Sequence, residues 1–128
     1  MVIIDGATFN VPVTSLSRTA DFLDKFAQRT EDGVLHRELI GVYFNYQLQF
    51  GRPTSVEERQ EYARLWGKLT EPVEFHKVVV PNTMQGDLLF EAYFSNVGDE
   101  LMRQRGQERY WRSLTVNFIA REPAATAI

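Results

Sequence analysis

Two histidines, four neighbouring carboxylate pairs and one arginine cluster are the groups in this 128-residue chain that could do chemistry. A zinc centre needs three or four ligands, and neither His36 nor His76 stands in a His-x-x-x-His or glutamate-paired spacing. His76, between Phe75 and Lys77 in a predicted strand, reads as a surface or cross-strand histidine. His36, beside Arg37 and Glu38, reads as an equally ordinary surface residue. General acid–base work needs two carboxyls held in a pocket whose surroundings push their pKa values apart. The pairs Asp21/Asp24, Glu31/Asp32, Glu57/Glu58 and Asp99/Glu100 fall in turns, at a helix start or in a charged loop, where solvated or capping carboxylates belong. A Ser–His–Asp arrangement would have to use one of only two histidines. The eight glycines are scattered, with no phosphate-cradling motif and no G-x-S-x-G elbow. The absence of cysteine excludes disulfides, thiolate-ligated zinc, iron–sulfur clusters and thiol catalysis. The expectation is a protein that is not an enzyme, with no catalytic residue, no cofactor, no metal site and no small-molecule substrate.

What remains is recognition. Arg103, Arg105, Arg109 and Arg112 are interleaved with Tyr110 and Trp111. Basic plus aromatic side chains can grip single-stranded nucleic acid. Here Asp99, Glu100 and Glu108 neutralise most of the charge, and arginine with aromatics is also what protein interfaces favour. The interface reading is the stronger one. A formal net charge of −3 and a pI near 5.4 point the same way, since a phosphate-gripping protein needs a basic excess.

The elements that must position these residues are mostly strands. Val2, Ile3 and Ile4 precede Asp5-Gly6, a strong two-residue hairpin signal, and residues 7–13 follow as a second strand, with Pro12 suggesting a sheet edge. Residues 14–38 mix polar and apolar types. Leu16, Ala20, Leu23 and Ala27 stand at helical spacing, yet the same stretch can form a long strand–turn–strand arm turning at Glu31-Asp32-Gly33. The arm is the reading taken. Residues 39–50 alternate with a period of two, with Ile40, Val42, Phe44, Tyr46, Leu48 and Phe50 on one face. After Gly51-Arg52-Pro53, Thr54 and Ser55 each meet a glutamate three residues on, a capping-box spacing that starts a helix over about 54–70. Tyr62, Leu65, Trp66 and Leu69 form its apolar stripe, and Pro72 ends it. Strands follow over 73–80, 88–96 and 110–121, with residues 99–109 as an exposed charged segment between the last two.

One domain over 1–121 with a flexible tail at 122–128 fits this length, and a hydrophobic content of 44% suffices for a core. The fold class expected is α+β, mostly β: a small antiparallel β-sandwich or partly open barrel with one packed helix. No apolar run is long enough to span a bilayer, and the N-terminus carries no basic region of a secretory signal, which predicts synthesis in the cytoplasm.

Three segments carry a resemblance: residues 29–46 (RTEDGVLHRELIGVYFNY), 66–76 (WGKLTEPVEFH) and 110–123 (YWRSLTVNFIAREP). They resemble small prophage-encoded proteins of Gram-positive bacteria, and the order of elements is similar to tail-tube and distal-tail proteins of bacteriophages. That resemblance implies a tail-tube-like fold and a structural subunit of the virion tail. It also implies a homo-oligomeric ring, other tail proteins as partners, and DNA at most passing through a channel. The contacts are expected in residues 14–38 and 99–110, with Arg18, Phe22, Phe26, Arg29, Arg103, Arg105 and Tyr110 at the subunit interface. The alternative is a small binding module at a tail tip, reading carbohydrate or a host protein through Tyr43, Tyr93, Tyr110 and Trp111.

Overall fold

A computed structural model describes residues 2–126. The chain runs β1 (Val2–Ile4), β2 (Ala7–Phe9), β3 (Val13–Arg29), β4 (Leu35–Phe50), α1 (Val56–Leu69), β5 (His76–Pro81), β6 (Asp87–Arg105), β7 (Glu108–Ala120) and β8 (Ala125–Thr126). All strand pairs are antiparallel, in one sheet of order β2-β1-β5-β6-β7-β4-β3, with β8 added to β4. The expected mostly-β class with one packed helix is what the chain adopts, as an open sheet not closed into a barrel.

Local chemistry explains the joints. Asp5 and Gly6 both have positive φ, 51° and 80°, the backbone of a type I′ hairpin whose twist matches the flanking strands. The Ser55 hydroxyl accepts from the Glu58 N–H at 3.1 Å, and the Glu58 carboxylate accepts from the Thr54 N–H at 2.7 Å. One orphan N–H of the first turn is thereby satisfied, and the Glu58 carboxylate ties the residue before the cap to the helix. The Thr54 backbone N–H also holds the Glu58 carboxyl below its ordinary range.

One face of the sheet makes the core. Tyr46, Leu48 and Phe50 of β4 lie beside Leu114, Val116 and Phe118 of β7, then Ala92, Val78, Val80, Ile4 and Val2 continue across, covered by Tyr62, Leu65 and Leu69 of α1. The period-two reading of β4 holds over its last five residues and fades toward the turn, where Ile40 is exposed.

The sheet curls strongly. β2 and β3 are opposite edges, yet only residues 10–12 join them, and three linking residues span little more than about 14 Å between the strand ends. Across the curl, Asn82 after β5 accepts from the Tyr46 hydroxyl at 3.0 Å and from Arg18 at 3.2 Å. The predicted strand over 7–13 is therefore two pieces: β2 ends at Phe9, and Val13 opens the far edge.

Two hairpins overrun this body in opposite directions. β4 pairs with β7 only from Tyr46 to Gln49, against Phe118 to Thr115. Residues 35–40 of β4 therefore extend past one end of the sheet with only β3 beside them, about 20 Å at 3.3 Å per residue. Residues 108–113 of β7 extend past the other end with only β6 paired to them. Over residues 14–38, residues 30–34 turn between two long strands and no helix forms there. The expected exposed segment at 99–109 is corrected to the second hairpin, exposed but paired from Glu100–Arg112 to Arg105–Glu108. Within the tail expected from residue 122, Ala125 and Thr126 pair with β4 as β8. The Ala124 N–H donates to the Val42 carbonyl, and a Cβ on Gly41 would meet Ala125 O and Pro123 at 2.8 Å. Residues 127 and 128 lie outside the described part.

Candidate functional site

The expected interface residues divide between the two projecting hairpins. Phe22, Phe26 and Arg29 stand on the β3–β4 arm, and Arg18 at its root. Arg103, Arg105 and Tyr110 stand on the β6–β7 hairpin at the opposite end. A single copy does not bring the two groups together.

The arm leaves large apolar side chains about half exposed: Phe22 at 58%, with Arg37 over its ring, Phe26 at 49%, and also Leu23, Val34 and Leu35. Its strands are held by pairing and by side chains beside the ladder, with Asp24 accepting from Arg37 and Lys25 near Glu38. The turn is built rather than loose. Asp32 accepts from the Thr30 hydroxyl and from the Val34 N–H, and Arg29 donates to Gly33 O at 2.6 Å. The Thr30 hydroxyl and the Val34 N–H keep the Asp32 carboxyl below its ordinary range.

At the other end, α1 and the β6–β7 hairpin enclose a cleft of about 500 Å³. Tyr62, Trp66 and Trp111 wall it, and Arg59, Arg109 and Asp99 stand at its rim. The Tyr62 hydroxyl donates to Asp99 at 2.9 Å, and burial, then that bond and the Asp99 charge, push the phenol far above its ordinary range. Tyr62 is thus a fixed donor that ties helix to hairpin. Tyr110 lies between Arg59 and Arg103, their guanidinium carbons 5.5 and 5.1 Å from its ring centre. Neither histidine lines this cleft. The four aromatics expected as one platform are split, with Tyr43 and Tyr93 on the body and Tyr110 and Trp111 on the second hairpin.

A second cluster had no signal in sequence because its members lie 71 residues apart. His76, read as a surface or cross-strand residue, is cross-strand to Ala92 and only 3% exposed, so the surface option is corrected. Its Nδ1–H donates to Asp5 Oδ2 at 2.6 Å, since an ionised carboxylate can only accept. Its ring stacks on Phe94, 4.5 Å between centres. Asp5 also accepts from the Lys77 N–H at 2.8 Å. Donor atoms of Asp5, Glu71 and His76 lie within 4.8 Å of one another, a spacing that could hold a cation. The Lys68 ammonium already sits there, 3.3 Å from Asp5 and 3.1 Å from Glu71. Glu71, with Asp5, holds that ammonium above its ordinary pKa. The cluster works as a latch between the β1–β2 turn and the end of α1.

Burial alone would raise the Asp5 carboxyl, but the bonds from His76, Lys77 and Lys68 outweigh it and the net shift is downward. Its contribution to stability is therefore complete above the ordinary aspartate value near 3.8 and is lost as pH falls through the lower folded value. Asp5→Ala is expected to cost about 1–2 kcal/mol at pH 7, because His76 and the Lys77 N–H lose their acceptor. Thermal unfolding at pH 7 and pH 3 checks this: the gap between wild type and variant narrows at pH 3. An equal gap at both would remove Asp5 as the titrating member.

Comparison with protein-family models, with curated proteins and with solved structures finds no match to this chain.

Proposed function

We propose that this chain is a structural subunit of a bacteriophage or prophage tail, assembling into a ring through its sheet edges and the β3–β4 arm. The observation that carries the reading is the arm. A 17-residue edge strand and its partner run past the body, and Phe22, Phe26, Val34 and Leu35 along them and their turn stay about half exposed. A row of unpaired backbone groups beside exposed apolar side chains is a docking surface for another chain. A net charge of −3 suits a wall that DNA slides past rather than one that holds it.

Size-exclusion chromatography with light scattering, followed by electron microscopy of concentrated protein, tests the reading. A mass of several copies and annular particles are the expected result. A strictly monomeric species across the accessible concentration range would remove it. The binding-module alternative is favoured by one observation, the cleft walled by Trp66 and Trp111. Quenching of tryptophan emission by soluble glycans would support that alternative.

A further inference from the structure

Resting on the assembly reading above, we infer that the cleft between α1 and the β6–β7 hairpin seats the β3–β4 arm of a second copy, with Glu31 facing Arg59 and Arg109. Geometry excludes the chain's own arm. The register of β4 on β7 sends the two hairpins past opposite ends of the sheet, so an arm tip points away from the cleft of its own copy. A second copy placed head to tail brings them together. Such a contact joins two different surfaces and repeats from copy to copy, which generates a ring or a stack rather than a closed dimer.

The two surfaces also match in character. The cleft offers Tyr62, Trp66 and Trp111 as apolar walls, and the arm offers the half-exposed Phe26, Val34 and Leu35. Residues 19–40 carry five carboxylates against three Lys and Arg, while residues 99–112 carry four arginines against three carboxylates. Asp24 and Glu38 are spent on ion pairs within the arm, Asp32 on its turn, and Asp21 near the root accepts from Asn45 and Thr19, which leaves Glu31 as the exposed anion at the tip. Arg59 and Arg109 form no salt bridge among the described residues. The hydrogen-bonded turn presents Glu31 in a set geometry, so less ordering entropy is lost on docking.

The chain has no cysteine, which makes cross-linking clean. Glu31→Cys and Arg109→Cys chains, mixed and treated with a short bismaleimide, are expected to give a mixed dimer, and the doubly substituted chain a ladder of covalent oligomers. Glu31→Arg and Arg109→Glu are each expected to weaken assembly about tenfold, and the two together to restore most of it; circular dichroism checks that each variant is folded. Assembly without the ladder or the rescue overturns the cleft as the arm's seat while leaving ring formation standing. Wild-type protein that never assembles overturns both. Assembly that leaves the emission of Trp66 and Trp111 unchanged assigns the cleft to another occupant, and that also overturns the inference.

Discussion

Replacing residues 24–40 by an Asn-Gly turn is expected to give a folded monomer that no longer assembles at any accessible concentration. Leu23 and Gly41 face each other across the ladder, so a two-residue type I′ turn closes the shortened hairpin without shifting the register below it. Every fully buried residue of the body lies outside the excised stretch. What is lost is exposed ladder, the well-solvated Lys25–Glu38 pair, the partly covered Arg37–Asp24 pair and the apolar side chains of the arm. Ion pairs near the surface contribute about 0–1 kcal/mol each, so the melting temperature should move by no more than about 8 °C. Light scattering and thermal unfolding read the two halves of the expectation separately. A shortened chain that still forms multi-copy particles would show that the arm is not the assembling element.

The sequence made some of this legible for stated reasons. The helix announced itself because capping chemistry is local: Ser55 and Glu58 are three residues apart, and α1 begins at Val56. The last five residues of β4 were readable because burial there is one-sided, with Tyr46, Leu48 and Phe50 inward and Gln47 and Gln49 outward. The β6–β7 hairpin was not legible. Residues 99–109 are charged, and a strand exposed on both faces has no apolar period to display. Pairing holds it, with Arg112 donating to Glu100 at 2.7 Å beside the ladder and Tyr62 of α1 donating to Asp99 at its base. The positive φ of Asn96 and Ser113 and the register shifts near Gly98 bend that hairpin, and bulges leave little trace in composition. The latch was invisible for another reason. Asp5 was legible as a turn residue, which accounts for its type, and nothing local says that its side chain meets His76, Lys77 and Lys68. The cleft likewise needed the third dimension, because Trp66 looks like core on the helical wheel yet is partly exposed on the cleft wall.

Phe118→Ala is expected to have the opposite signature to arm excision: a large loss of stability with the interface residues untouched. Phe118 is fully buried on β7, and its ring stacks on Phe94 of β6 at 4.7 Å, which in turn stacks on His76 of β5 at 4.5 Å. The three rings form a column across three neighbouring strands, and its last member carries the bond to Asp5. Truncating a buried phenylalanine costs about 3–5 kcal/mol, against a total of about 5–15 kcal/mol for a domain of this kind. That corresponds to a fall of about 10–20 °C in melting temperature. Phe118→Leu keeps most of the volume and should cost about 1–2 kcal/mol. Phe118 is paired with Tyr46 of β4, so the column stands beside the β4–β7 register from which the two hairpins project in opposite directions. Below its lowered melting temperature the Phe118→Ala protein should still assemble, since Glu31, Arg59, Arg109 and the arm are unchanged. Loss of assembly in a sample that circular dichroism shows to be folded would mean that the body does more than aim the hairpins, and that part of the contact surface lies on the sheet itself.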